Sequence, residues 1–257
     1  MMRTASTENA TSMLNKVPEV TFVFWIIKIM ATTVGETGAD FLIFKLNIGL
    51  TVTTYLMSTL LVLALVIQIR SRKYIPWLYW LAVVMISIVG TLISDTLVDI
   101  YAVSLEATTI LFSLALIVTF VAWYRSEKTL SIHTIFTFRR EAYYWAAILF
   151  TFALGTSAGD LASEGWGLGY AVSGFIFAAL ISIVAISYHI FNVNPVITFW
   201  IAYILTRPLG ASFGDFLSQP LNRGGMGFGT INTSIVFLLI ILGLVAYLTN
   251  RMRNKST

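Results

Sequence analysis

Four aspartates carry most of the chemistry this chain has available. Asp40, Asp95, Asp160 and Asp215 each lie fifteen residues after a tryptophan, with a glycine at the tenth position. The four copies read Phe24-Trp25, Gly35, Asp40; Tyr79-Trp80, Gly90, Asp95; Tyr144-Trp145, Gly155, Asp160; and Phe199-Trp200, Gly210, Asp215. Four of the chain's five aspartates fall in this register, which puts one carboxylate at the same place in each of four units. Carboxylates placed in this way can bind a cation, carry a proton, or satisfy backbone donors where a helix ends.

Residues spaced four apart share one face of a helix, and that face extends the chemistry back from each aspartate. The first unit reads Lys28, Thr32, Glu36, Asp40, and the second Ser87, Thr91, Asp95. The third reads Phe152, Thr156, Asp160, and the fourth Arg207, Ala211, Asp215. Candidate cation-binding or permeation residues are therefore Asp40, Asp95, Asp160, Asp215, Glu36, Thr91 and Thr156, with the four aspartates as candidate metal ligands. Lys28 and Arg207 are candidates for a gate or an ion pair. Glu36 and Arg207 stand one turn apart in register, so they are expected to meet across neighbouring helices, either to fix helix order or to gate a path. Pro208 removes a helix hydrogen bond beside Arg207 and predicts a kink there.

The elements that must position these groups follow from composition. Hydrophobic residues make up 58% of the 257 and charged residues 11%. Apolar runs of about 20 residues read as membrane-spanning helices, not as barrel strands. Spans are expected near Val20–Leu42, Ile48–Ile69, Ile75–Leu97, Val103–Trp123, Glu141–Ala162, Gly169–Ile190, Pro195–Phe216 and Gly229–Asn250. The fold class is thus all-α: a polytopic membrane protein of about eight transmembrane helices, arranged as four parallel helical-hairpin repeats. One membrane domain covers 1–257, with repeats at about 18–70, 73–125, 138–191 and 193–251, a short polar N-terminal tail and a basic C-terminal tail.

Tryptophan spacings of 55, 65 and 55 residues put the longest linker in the centre, so either a ring of four units or two pairs is expected. The Met1–Lys16 segment is polar, and the first apolar stretch holds Lys28 and Glu36, unlike a cleaved signal peptide.

Arg3 and Lys16, then Arg70, Arg72 and Lys73, then Arg125, Lys128, Arg139 and Arg140, then Arg251, Arg253 and Lys255 all fall on one side of an eight-span topology. The other side carries Lys45, Asp99, Glu164 and Arg223. The positive-inside rule then puts both termini in the cytoplasm of a bacterial inner membrane. The net charge of +4 is a topology signal and gives no nucleic-acid footprint.

Fifteen helical residues place each aspartate about 22 Å beyond its tryptophan, inside a hydrocarbon core of about 30 Å. The tryptophans read as interfacial anchors. The small pairs Gly35/Ala39, Gly90/Ser94, Gly155/Gly159 and Gly210/Gly214 read as close-packing sites between helices. Oxygen-bearing residues also gather at the far ends of the second helices: Thr51, Thr53 and Thr54; Glu106, Thr108 and Thr109; Thr230, Asn232, Thr233 and Ser234. They form either an outer vestibule or bonds back to their own helices.

On the Trp and Gly…Asp register, the chain resembles a bacterial membrane-protein family of four tandem two-helix repeats of unknown function, each repeat with a characteristic Trp. The resemblance covers nearly the whole chain and implies eight spans, but it implies no reaction.

With no cysteine in the chain, thiolate sites and disulfides are excluded. His133 and His189 lack the spacing of a zinc site, and no Walker loop or nucleophile elbow is found. Neither an enzymatic activity nor a cofactor is expected. The partners expected are the lipid bilayer and a small cation.

Glu36 and the four aspartates against Lys28 and Arg207 give a formal charge of five acids less two bases, −3. Carboxylate and hydroxyl oxygens suit hard cations: a divalent metal, Na⁺ or a proton. A transporter or permeation pathway for such a cation is the leading expectation. The alternatives are a non-transporting sensor or scaffold, or a lipid-binding protein, with the aspartates as helix caps. An intramembrane enzyme working on lipid through paired aspartates is a further reading.

Overall fold

A computed structural model describes residues 15–255; Arg3 and the rest of the polar segment before residue 15 lie outside the described residues. Among the described residues all regular structure is helical, and eight helices are long and apolar enough to cross a membrane. They are α1 (Phe22–Asp40), α2 (Leu50–Arg70), α3 (Pro76–Asp95), α4 (Leu105–Glu127), α5 (Phe138–Asp160), α6 (Tyr170–Phe191), α7 (Pro195–Ser218) and α8 (Gly229–Lys255).

Local chemistry sets where the helices bearing the Trp–Asp motif start. The Thr21 hydroxyl accepts the Phe24 amide before α1, and Thr137 accepts the Arg140 amide before α5. Pro76 and Pro195 occupy first turns, where a missing N–H costs nothing. The Asn194 side chain caps α7 by accepting from Val196 and Ile197.

The far ends also repeat. After Asp40, Asp95 and Asp160 the chain widens into one π-helical turn: Phe41–Lys45, Thr96–Ile100 and Leu161–Gly165. A left-handed residue follows each, at Asn47, Ala102 and Gly167. The fourth unit departs from this pattern: α7 runs on to Ser218, and a 3₁₀ turn at Leu221–Arg223 leads to Gly227 and Gly229, both at positive φ.

The four motif helices close into a ring, in which α1 packs on α3, α3 on α5, α5 on α7 and α7 on α1. This selects the ring over two separate pairs. Half to two thirds of each inner span is buried (61, 50, 67 and 50%), against 22, 17, 17 and 22% for the second helices, which face outward. The two helices of a repeat are joined by a short turn but do not pack chiefly on each other. Instead α2 lies on α3, α4 on α5, α6 on α7, and α8 returns to α1. Each unit thus covers the next, and the last covers the first. The longer central linker keeps to this pattern, with the Leu130 carbonyl accepting the Trp200 indole N–H at 2.9 Å.

Two sets of contacts lock the ring, and both repeat at every junction. The first aromatic of each motif meets the tryptophan of the next unit: Phe24 with Trp80 (5.5 Å between centroids), Tyr79 with Trp145 (5.5 Å), Tyr144 with Trp200 (6.3 Å) and Phe199 with Trp25 (5.7 Å). Trp80, Trp145 and Trp200 are buried, so these three do not serve as lipid-facing anchors, and Trp25 is half-buried. Aromatic faces bury as readily against one another as at an interface, with about 0.5–1.5 kcal/mol per pair beyond area.

Above this belt, each repeated glycine receives the neighbouring helix. A Cβ on Gly35 would overlap Ser87, on Gly90 Phe152, on Gly155 Arg207, and on Gly210 Thr32. These are the close approaches that helix pairs in lipid require.

Replacing Gly90 or Gly210 by Val forces the ring open at one junction. The expected cost is about 1–3 kcal/mol, read as a lower unfolding temperature in detergent, while Gly243→Ala, where an added Cβ meets nothing within 4 Å, leaves it unchanged.

Candidate functional site

The ring stacks equivalent residues in layers along its axis, with the aspartates at the turn end. Asp40, Asp95 and Asp160 end their α-helical segments, and Asp215 lies within the last turn of α7. None acts as a side-chain cap: the turns after Asp40, Asp95 and Asp160 have no capping bond from them. Among the described residues, one side-chain hydrogen bond reaches any of the four, from Gln219 Nε2 to Asp40 Oδ2 at 3.3 Å. The carboxylates are left with free acceptor capacity.

Glu36 stands one helical turn before Asp40, just below the layer of aspartates. One carboxylate oxygen each from Glu36, Asp160 and Asp215 fall within 4.8 Å of one another. Asp40 and Asp95 stand outside this tight group, so the symmetric four-aspartate layer read from the sequence becomes three close carboxylates with two more beside them. Asp215 is 7% exposed; Asp40, Asp95 and Asp160 are half-buried and reach the turn-side surface, where Glu164 accepts a hydrogen bond from Tyr170 at 2.9 Å.

The floor of this acidic cup is a guanidinium. Arg207 is completely buried and reaches up into the layer of Glu36, Thr91 and Thr156, where its own helix has the small Ala211. Its Nη2 donates to Glu36 Oε2 at 3.0 Å, to Thr156 Oγ1 at 2.6 Å, and to Thr91 Oγ1. Thr91 also donates to Glu36 Oε2 at 3.4 Å. The expected Glu36–Arg207 pair is thus present, and Thr91 and Thr156 serve the guanidinium. Pro208 packs its ring and backbone against Gly155 and Gly159, inside a helix that continues to Ser218.

Lys28 does not join an ion pair among the described residues. Its ammonium sits between the Phe152 and Tyr203 rings, 4.1 and 4.2 Å from their centroids. Beyond it Tyr79 and Tyr144 share a hydroxyl contact of 2.5 Å, and the aromatic belt follows. From the turn end the axis therefore runs acids, guanidinium, ammonium, phenols and indoles.

The oxygen-rich outer helix ends are divided. Thr54, Asn232 and Thr233 bond back to their own helices, and Ser234 pairs with Thr37 at 2.7 Å. Thr53, Thr108 and Thr233 are buried at one repeated register, and Ser173 is the fourth member. The sequence reading missed Ser173, although it stands four residues after Gly169 as Thr53 follows Gly49. His133 and His189 both line a lateral groove of about 740 Å³ between α1, α6 and α7, far from the cup.

Removing one member of the buried pair strands the other. Arg207→Met is expected to destabilise by about 3–5 kcal/mol, and adding Glu36→Gln recovers part of the loss, as a double-mutant cycle of unfolding temperatures measures.

No curated protein and no solved structure shows a match to the chain. A match does come from the family described as Repeat of Unknown Function (DUF347), in four copies at residues 23–74, 78–129, 143–193 and 198–254. Each copy begins two residues before its tryptophan and ends within about four residues of the end of its second helix, so the chain belongs to this tandem-repeat family.

Proposed function

We propose that this membrane protein binds a small hard cation in the acidic cup and carries it across the bilayer. The observation that supports this most is the group formed by Glu36, Asp160 and Asp215, with carboxylate oxygens within 4.8 Å of one another in a transmembrane ring. Three acids against the single guanidinium at the floor leave the cup formally at −2. Such a charge inside a membrane must be hydrated, protonated or met by a cation. Oxygen donors, with no cysteine in the chain and both histidines in the distant groove, favour Mn²⁺, Mg²⁺, Ca²⁺, Na⁺ or H⁺ over copper or zinc. In this reading the basic end, with Lys16 bonded to Glu141 and Arg140 to Glu127, faces the cytoplasm, and the cup opens on the other side.

One observation favours a second reading. Below the cup the axis is filled by Arg207, the Lys28 ring sandwich and the aromatic belt, as suits a protein that binds a cation without passing it, such as a sensor or scaffold. Cation movement in the first reading requires Arg207 to leave Glu36.

Flux of Mn²⁺, Mg²⁺, Ca²⁺, Na⁺ and H⁺ into proteoliposomes, beside direct binding to the purified protein, separates the two. Asp160→Asn and Asp215→Asn are expected to lower affinity by about tenfold or more, Asp40→Asn by less, and Asp99→Asn, an exposed residue, not at all. Binding without flux selects the sensor; neither binding nor flux rejects the cup as a cation site.

A further inference from the structure

Lys28 is a charge on the axis that the cup does not use. It is fully buried, and its ammonium makes no hydrogen bond among the described residues. Its neighbours are two aromatic faces, Phe152 from α5 and Tyr203 from α7. Ammonium groups inside proteins are ordinarily met by carboxylates or carbonyls, so two ring faces are a sparse setting.

The ionisable groups around it are few. Arg207 on α7 is a second cation beside the same Phe152 ring. Among the described residues the Tyr203 hydroxyl has no partner, and the Tyr79 and Tyr144 hydroxyls, from α3 and α5, face each other. Glu36 on α1 is taken by Arg207, and Glu141 at the start of α5 is taken by Lys16. α8, which also packs on α1, carries Tyr247 and its cations only in its last nine residues.

Resting on the cation-binding reading above, we propose that Lys28 is a proton site coupled to the cup. A cation entering between Glu36, Asp160 and Asp215 competes with Arg207 for Glu36. The Arg207 stem is held against Gly155 and the acids' new cation lies above, so displacement of the guanidinium brings it toward Lys28. Both cations already share the Phe152 ring, Arg207 Cζ at 5.7 Å and Lys28 Nζ at 4.1 Å. Arginine keeps its proton in proteins, whereas a buried lysine can give one up.

The Nζ–H bond of Lys28 then breaks, its electron pair stays on the now neutral amine, and the proton forms a new O–H bond on a solvent water that the displaced side chain admits. When the cation leaves, Arg207 returns to Glu36 and Lys28 regains a proton by the reverse path. Cation and proton thus occupy the axis alternately, the arrangement of an exchanger.

The test is calorimetric titration of the purified full chain with Mn²⁺, Ca²⁺ and Na⁺ in buffers of different ionisation enthalpy, which counts protons released per cation bound. The wild type is expected to release about one proton more than Lys28→Met or Lys28→Arg. Met fills the same slot between two rings without charge, and Arg keeps the charge without a removable proton, so either folded variant gives the answer. Equal proton counts in the wild type and the folded variants overturn the proposal while leaving the cup as a cation site. No binding of any of the three by the wild type overturns both.

Discussion

The contact on which the rest depends is the Arg207 guanidinium on the ring axis. One side chain from α7 bonds to Glu36 of α1, Thr91 of α3 and Thr156 of α5, so all four repeats meet at a single group. A buried charge is tolerated only when its partners are well placed, and here the partners come from three different helices. The geometry needs three things from the sequence: Ala211 to leave room in the layer above, Gly155 to admit the arginine stem, and two threonines in place of acids. Fourfold symmetry is broken at this level so that a net-acidic ring can hold its own counter-charge. The aspartates one layer up keep the symmetry in sequence but not in geometry.

Contacts that step from one unit to the next explain why a repeat protein with so few polar contacts holds one shape. Each glycine receives the inner helix of the next unit, each first aromatic meets the next tryptophan, and each outer helix covers the next inner one. In lipid no hydrophobic force drives helices together, so close packing and a few buried polar bonds must do it. Repetition of one junction four times makes a small contribution cumulative.

Much of this was legible in the chain. The register of Gly35, Gly90, Gly155 and Gly210 announced the close approaches, and the one-turn offset of Glu36 and Arg207 announced their pairing. The spans were placed to within a few residues, since a run such as Leu50–Arg70 has only one use at that length. Three features were not legible. The tryptophans read as anchors because aromatic residues near span ends suit an interface and a protein interior equally well. The crossing of α2 onto α3 was invisible because lipid and protein neighbours are both apolar, so nothing in the pattern of α2 says which helix it touches. The collapse of four equivalent aspartates into a group of Glu36, Asp160 and Asp215 depends on where one long side chain from α7 reaches, which periodicity does not encode.

The closing of α8 onto α1 has a consequence for how the chain is made. Helices enter the bilayer in order, so α1, which carries Lys28 and Glu36, is inserted before α7 and before its cover α8. Glu36 waits for a partner 171 residues later in the chain. At about 5–20 residues per second that interval lasts on the order of ten to thirty seconds. During that time a buried acid and a buried amine lie on a helix with neither its ring neighbour α7 nor its outer shield α8. The polar first span therefore depends on the insertion machinery, or on a temporary neighbour, until the ring can shut. The ring of this membrane protein is covered on every side only when α8 has returned to α1.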